Sequence, residues 1–382
     1  MHKARRIGIA AAAATAASAG FAVFGGAAGA SGPPHFFGAP QAVFVQSDNL
    51  AGNTVVAYDR NPGGSLTLAG SYATQGLGGA LSGSVVDHLA SQGSLTYDAQ
   101  SSLLFAVNAG SNTVSVFGVR GDQLFLRQVI SSGGLFPVSV AVRGNLVYVL
   151  NAEGGGSIQG YYLGFGGLTL VPSWNRPLGL GTTSTSAFTA TPGQVAFSPD
   201  GRQVLVTTKA STNAIDVFNV GFFGGLSASP VVNTEAGTVP FAVAFDATGR
   251  VLVSEAGVNS TQSFSLSPNG SLTPVAILAT GQTATCWITG PADGSLFFAS
   301  NAGSGSLSGL RSFGGQLSST GITSTDAGTV DAAVTGDGQY LYAQAGANGI
   351  VDEFHVNFNG SLSEVGTVAV PGAQGGEGIA AQ

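Results

Sequence analysis

Charge is scarce in this chain: 12 Lys and Arg and 19 Asp and Glu make up only 8% of 382 residues. Three of the cations, Lys3, Arg5 and Arg6, fall within the first six positions. The remainder therefore sets nine basic against nineteen acidic residues, a net charge of −10. That balance repels polyanions and excludes nucleic acid as a partner. Cysteine is nearly absent: Cys286 stands alone, so no internal disulfide can staple the fold, and packing and strand pairing must hold it. Helical periodicity is missing throughout. No stretch beyond the first thirty residues is long and apolar enough to span a bilayer, so no membrane partner is expected once that leader is removed.

The leader itself reads as an export signal over residues 1–30. A basic start is followed by a small, Ala-rich apolar run, and Ala28-Gly29-Ala30 offers a small-residue cleavage site. Arg5 and Arg6 form an arginine pair whose surroundings match the twin-arginine signal poorly, which leaves the export route open. Residues 31–41 read as a linker and 42–382 as the folded part, expected to be secreted or extracytoplasmic.

Glycine is plentiful, at 60 residues, yet Val, Leu, Phe and Ala alternate between the glycines, so glycine punctuates strands rather than marking a disordered linker. LLFAVNAGSNTVSVF, from Leu103, returns as LFFASNAGSGSLSGL, from Leu296, and the pattern can be followed through seven cognate segments. Their starts lie 43 to 61 residues apart. Each contains an apolar strand, a small polar turn and a strand of period two. A glycine turn and a further strand follow, as in SPNGSLTPVA and NFNGSLSEVG, and one more strand precedes, as in PGQVAFSPDGR. Four antiparallel strands per unit, seven units and no helix predict an all-β, seven-bladed propeller. The first unit lacks its innermost strand, and the end of the chain, GGEGIAAQ, supplies it. The sequence thus predicts Gly378–Gln382 beside Val43–Gln46, closing the ring.

In this topology one face carries the turns after each second strand together with the links between blades, and the other carries tight hairpins. The linking face collects Asp48, Asp87, Glu153, Glu255, Asp331 and Glu377, whereas Arg143, Arg202 and Arg250 sit at the hairpins. Two long links, before the second and fourth blades, make the linking face the expected mouth. His88 lies there beside Asp87, which could make it an acid or base near neutral pH. Lys209 and Glu255 replace the Asn found at the cognate positions 108, 151 and 301. The candidate catalytic set is therefore His88, Lys209 and Glu255, with His88 as base and Lys209 polarising a carbonyl. Asp48, Glu153, Glu255 and Glu377 are candidate ligands for calcium; no other cofactor is expected. The recurrent Asn is expected to cap a turn, and Cys286 to fill space.

Units such as VAFSPDGRQVLVTTKASTNAIDVF and LLFAVNAGSNTVSVF resemble the lactonase family of seven-bladed propellers, which includes 6-phosphogluconolactonase-like and carboxymuconate-lactonizing proteins. In the lactonizing enzymes the resemblance would imply an axial site of histidine, arginine and glutamate. The inner strands here, SQGSLTYD, FPVSVAV, GQVAFS, FAVAF, ATCWIT and DAAVT, carry none of these, so no catalytic residue transfers. Only Lys209 and Arg176 could meet an anionic substrate at the mouth, which disfavours a phosphorylated lactone. The expectation is a lactonase-like enzyme opening a neutral lactone. The alternative is a noncatalytic propeller binding an extracellular small molecule, glycan or protein. Oligomeric state is left open.

Overall fold

A computed structural model describes residues 41–181 and 187–382. The expected export signal and nearly all of the linker lie outside these residues, as do positions 182–186 of the link into the fourth blade.

Seven antiparallel sheets form a ring. Six are built from consecutive strands. The seventh is closed by the chain end: Ile379–Ala381 pairs with Ala42–Gln46, with Val43 opposite Ala381, Phe44 opposite Ala380 and Val45 opposite Ile379. The Gln46 amide also donates to Gly378 O at 2.8 Å. The third blade carries an extra short strand, Arg176–Pro177, against Ser157–Ile158.

Burial explains why the second strands of the blades read as unbroken apolar runs. Ala42–Gln46, Leu103–Asn108 and Tyr340–Ala345 are buried at every position, because each blade is covered on both faces by its neighbours. Outer strands such as Gln123–Ser131 alternate. The core is therefore a series of layers between blades. Val43, Val45, Val56 and Tyr58 pack on Tyr342 and Val351 of the seventh blade, while Phe44, Val55 and Ala57 pack on Leu104, Ala106 and Phe117 of the second. One register shift recurs at the same point of the outer strand pair, at Ala57/Tyr58, Val116/Phe117, Ser263/Phe264, Gly309/Leu310 and Glu353/Phe354. Such bulges increase the local twist that each blade needs.

The recurrent Asn bridges its own turn. Asn108 Nδ2 donates to Thr113 Oγ1 at 3.1 Å and Ser115 Oγ at 2.8 Å, and Asn301 Nδ2 donates to Ser308 Oγ at 2.9 Å. On the opposite face, aspartates shape the hairpins: Asp246 Oδ1 accepts the amides of Thr248 and Arg250 at 2.8 and 3.0 Å.

Candidate active site

The first strand of every blade stands at the axis, and together these strands enclose a cavity of about 460 Å³. It reaches the hairpin face at Arg143, Ser198 and Pro199. This is the face opposite to the mouth expected from the sequence. Leu95, Val140, Ala196, Ala333 and Ala380 supply apolar or small parts of the wall, and the polar lining includes Gln92, Gln194, Thr289 and Asp331.

Asp331 is the one acid in the interior of an inner strand, Thr329–Val334, and is only 5% exposed. Burial pushes its carboxyl up to about 7, while the amides of Ala332, Ile379 and Gly93 hold the ionised form and limit the rise. The Ala332 amide donates to Oδ1 at 2.9 Å. Three segments from three blades thus fix one carboxyl group against the cavity, poised to change charge near neutral pH. Gln194 is similarly fixed, its Oε1 accepting the Val243 amide at 2.6 Å. No acceptor among the described residues takes its Nε2, which is left to serve a ligand. Gln92 is committed: its amide exchanges two hydrogen bonds with the Ile288 backbone, at 3.0 and 2.9 Å. Among the described residues, Arg143 is the only cation on the wall.

At the linking end, the link into the second blade runs across the axis. Ser91 Oγ donates to Val138 O at 2.8 Å, the Gln92 amide donates to Gly193 O at 3.0 Å, and Trp287 Nε1 donates to Ser91 O. This segment thereby touches the third, fourth and sixth blades. Trp287 also packs against Phe241, with ring centroids 4.8 Å apart.

Lys209 anchors the same segment. Its Nζ donates to Ala90 O at 2.7 Å, Phe188 O at 2.8 Å and Thr191 Oγ1 at 3.0 Å, and lies 5.5 Å from the centre of the Phe241 ring. All three ammonium protons are engaged inside the protein. Asp87 and Glu377 are its charged neighbours. Burial raises both carboxyls, Asp87 to about 7 against the opposing pull of the Lys209 ammonium, and Glu377 well above its ordinary value, with the Asp87 charge adding to its rise. Both carboxyls thus lie beside a lysine that burial lowers to about 8. Ser91 adds its amide, at 3.0 Å, and its hydroxyl to Glu377 Oε1. Neither Asp87 oxygen has a hydrogen-bond partner among the described residues.

The three residues singled out from the sequence are not brought together. The His88 amide donates to Gly375 O at 2.7 Å, its Nδ1 is buried without a partner, and burial lowers its pKa. Its ring borders a separate cavity of about 630 Å³ with Asn49, Asn348 and Gln374. Glu255 is buried in the fifth blade, pushed up to about 7 by burial and by Glu235, and is not among the charged neighbours of Lys209. Of the four candidate calcium ligands, Asp48 and Glu377 adjoin, Asp48 Oδ2 accepting the Glu377 amide at 2.8 Å. Glu153 is exposed at the end of its strand. Among the described residues no group of three or more His, Cys, Asp or Glu side chains is arranged to hold a metal ion. Cys286, in the inner strand of the sixth blade, is held as the neutral thiol by burial.

Asp331 was visible in the sequence only as one acid of the linking face. The signal that marks it is a charge inside an inner strand whose counterparts elsewhere are uncharged.

Comparison with known proteins matches residues 80–376 to a family model described as lactonase, 7-bladed beta-propeller. None of the curated proteins matches the chain in sequence. Among solved structures, a periplasmic gluconolactonase from Pseudomonas aeruginosa superposes with a TM-score of 0.71 at 15% identity, covering 89% of this chain and 98% of its own. A protein from Lactobacillus plantarum gives 0.71 at 18% identity, covering 90% and 99%. A candidate 6-phosphogluconolactonase from Bacteroides uniformis gives 0.70 at 19%, covering 90% and 100%. At these identities the likeness is one of fold.

Proposed function

Since the chain belongs to the lactonase family of seven-bladed propellers, we propose that it is an exported hydrolase that opens an uncharged lactone in the axial cavity, with Asp331 as general base. The observation that carries this reading is a nearly buried carboxyl, raised to about 7, on the wall of a cavity of about 460 Å³. Ionised Asp331 takes a proton from water as the water oxygen bonds to the lactone carbonyl carbon. The carbonyl oxygen gains the negative charge and meets the free Nε2–H of Gln194. Collapse of the tetrahedral intermediate breaks the ring C–O bond, and Asp331 returns its proton to the departing alkoxide, giving the hydroxy acid. A substrate bearing phosphate or carboxylate would face Asp331 with only Arg143 to offset it, so an uncharged ring fits best. Export draws on the basic start and apolar run of residues 1–30.

Because the base must be ionised, kcat/KM is expected to rise as pH increases through about 7, with uncharged lactones turned over faster than their phosphorylated counterparts. A flat profile across that range, or preference for the anionic lactone, would refute the assignment. Tight binding of a neutral lactone without turnover would favour the noncatalytic alternative.

A further inference from the structure

Glu377 is wholly buried and lies two residues before the strand that closes the ring, Ile379–Ala381. Its amide donates to Asp48 Oδ2 at 2.8 Å, and its carbonyl oxygen accepts the Ser94 hydroxyl at 3.1 Å. Its carboxyl Oε1 accepts both the Ser91 amide, at 3.0 Å, and the Ser91 hydroxyl. One residue therefore fastens the link that crosses the axis to the end of the chain, and both to the first blade. The two segments it joins run close together: a Cβ at Gly378 would run into Ser94 Oγ and Leu95. Each is also held from outside, Gly93 O accepting the Val140 amide and Gly378 O the Gln46 amide, both at 2.8 Å. The amides of Gly93, from the link, and of Ile379, from the chain end, meet on the Asp331 carboxylate.

We infer that Glu377 is the positioning residue of the general base: by fastening the crossing link to the chain end, it holds the amides of Gly93 and Ile379 on the Asp331 carboxylate. The role rests on Asp331 being the base of the reaction proposed above. Glu377 is absent from the cavity wall, so it acts on the base through these amides and not by touching substrate. Amides that donate to a carboxylate favour its ionised form, and losing them leaves burial less opposed, which raises the pH at which Asp331 gives up its proton. The groups that could act on Asp331 by charge instead are Glu377 itself, with Asp48, Asp87 and Lys209 behind it, and Arg143 on the cavity wall; Cys286 is a neutral thiol. Burial holds the Glu377 carboxyl well above its ordinary value, with the charge of Asp331 adding to the rise. Glu377 is not among the causes of the rise at Asp331, where burial is opposed only by the three amides. The lever is the placement of those donors.

The test follows the ionisation of Asp331 by carbon-13 NMR of its side-chain carboxyl in the full-length protein, alongside kcat/KM for δ-valerolactone over the same pH range. Glu377→Ala, which releases Ser91, should titrate about one unit or more above the wild type, with kcat/KM at pH 6 lower by about tenfold. Glu377→Gln should restore the wild-type midpoint, because its Oε1 again accepts from Ser91 and its Nε2 stands beside Asp87, whose oxygens have no partner among the described residues. Ser94→Ala loses one hydroxyl bond to Glu377 O and should shift the midpoint upward by less; it carries the test if alanine at position 377 does not fold. An unmoved midpoint in folded Glu377→Ala, or in Ser94→Ala where that variant alone folds, overturns the inference. So does a lowered midpoint in both Glu377 variants, which would show that Glu377 acts through its charge. A midpoint that rises as stated while the kcat/KM profile stays in place upholds the positioning of the carboxylate and refutes Asp331 as the base.

Discussion

Asp331→Asn will lose lactone hydrolysis by a factor of about 10²–10⁴, the range expected when a positioned general base is removed, without loss of stability. Asparagine keeps the shape of the side chain and an oxygen to accept the Ala332 amide, so the cavity wall is preserved while the proton acceptor is gone. The stability expectation has a definite sign. Burial raises the carboxyl to about 7 from its ordinary 3.8, so the folded protein binds a proton that the unfolded chain has released. The charged form then weakens the fold increasingly as pH climbs through that interval. At pH 8, where Asp331 is ionised, the asparagine variant should melt no lower than the wild type. A variant that folds normally and retains full activity would place the chemistry elsewhere.

Lys209→Met will destabilise the protein by about 3–5 kcal/mol, the cost typical of removing one partner from a buried ionic cluster. The substitution leaves Ala90 O and Phe188 O without their donor and removes the positive charge beside Asp87 and Glu377. Adding Asp87→Asn should recover part of the loss, since lysine and aspartate are coupled and their effects are not additive. Urea unfolding of the two single variants and the double variant measures this directly. If Lys209 instead polarised a substrate carbonyl, the methionine variant would lose turnover while melting like the wild type. That result would return the site to the linking end.

The architecture was legible because it is written locally and repeatedly. Most blades show turns as Asn-Gly, Gly-Gly or Asp-Gly and strands as short apolar runs, and the missing strand of the first unit could be matched to the chain end, Gly378–Gln382, of which Ile379–Ala381 forms the pairing strand. The outcome at the axis was less legible. Periodicity tells on which face a residue emerges but not which end of the axis holds the cavity, and Asp331 was accordingly grouped with the rim acids. The path of the link from Thr74 to Ser94 depends on partners far away in sequence, among them Lys209, Trp287 and Glu377. No local pattern announces that such a segment crosses the axis. The sequence places His88 and Lys209 at one end of the ring, but a side chain's partners follow from that crossing segment. It draws Lys209 to Ala90 O and leaves His88 at an outer cavity.

The central claim, that the axial cavity binds the lactone against Asp331, is tested most directly by a crystal structure of the protein with an uncharged lactam analogue, whose amide resists opening. The lactam ring should lie within the inner strands, its carbonyl oxygen at Gln194 Nε2 and Asp331 within one water of the carbonyl carbon. Density for the analogue beside His88, with the axial cavity empty, would contradict it.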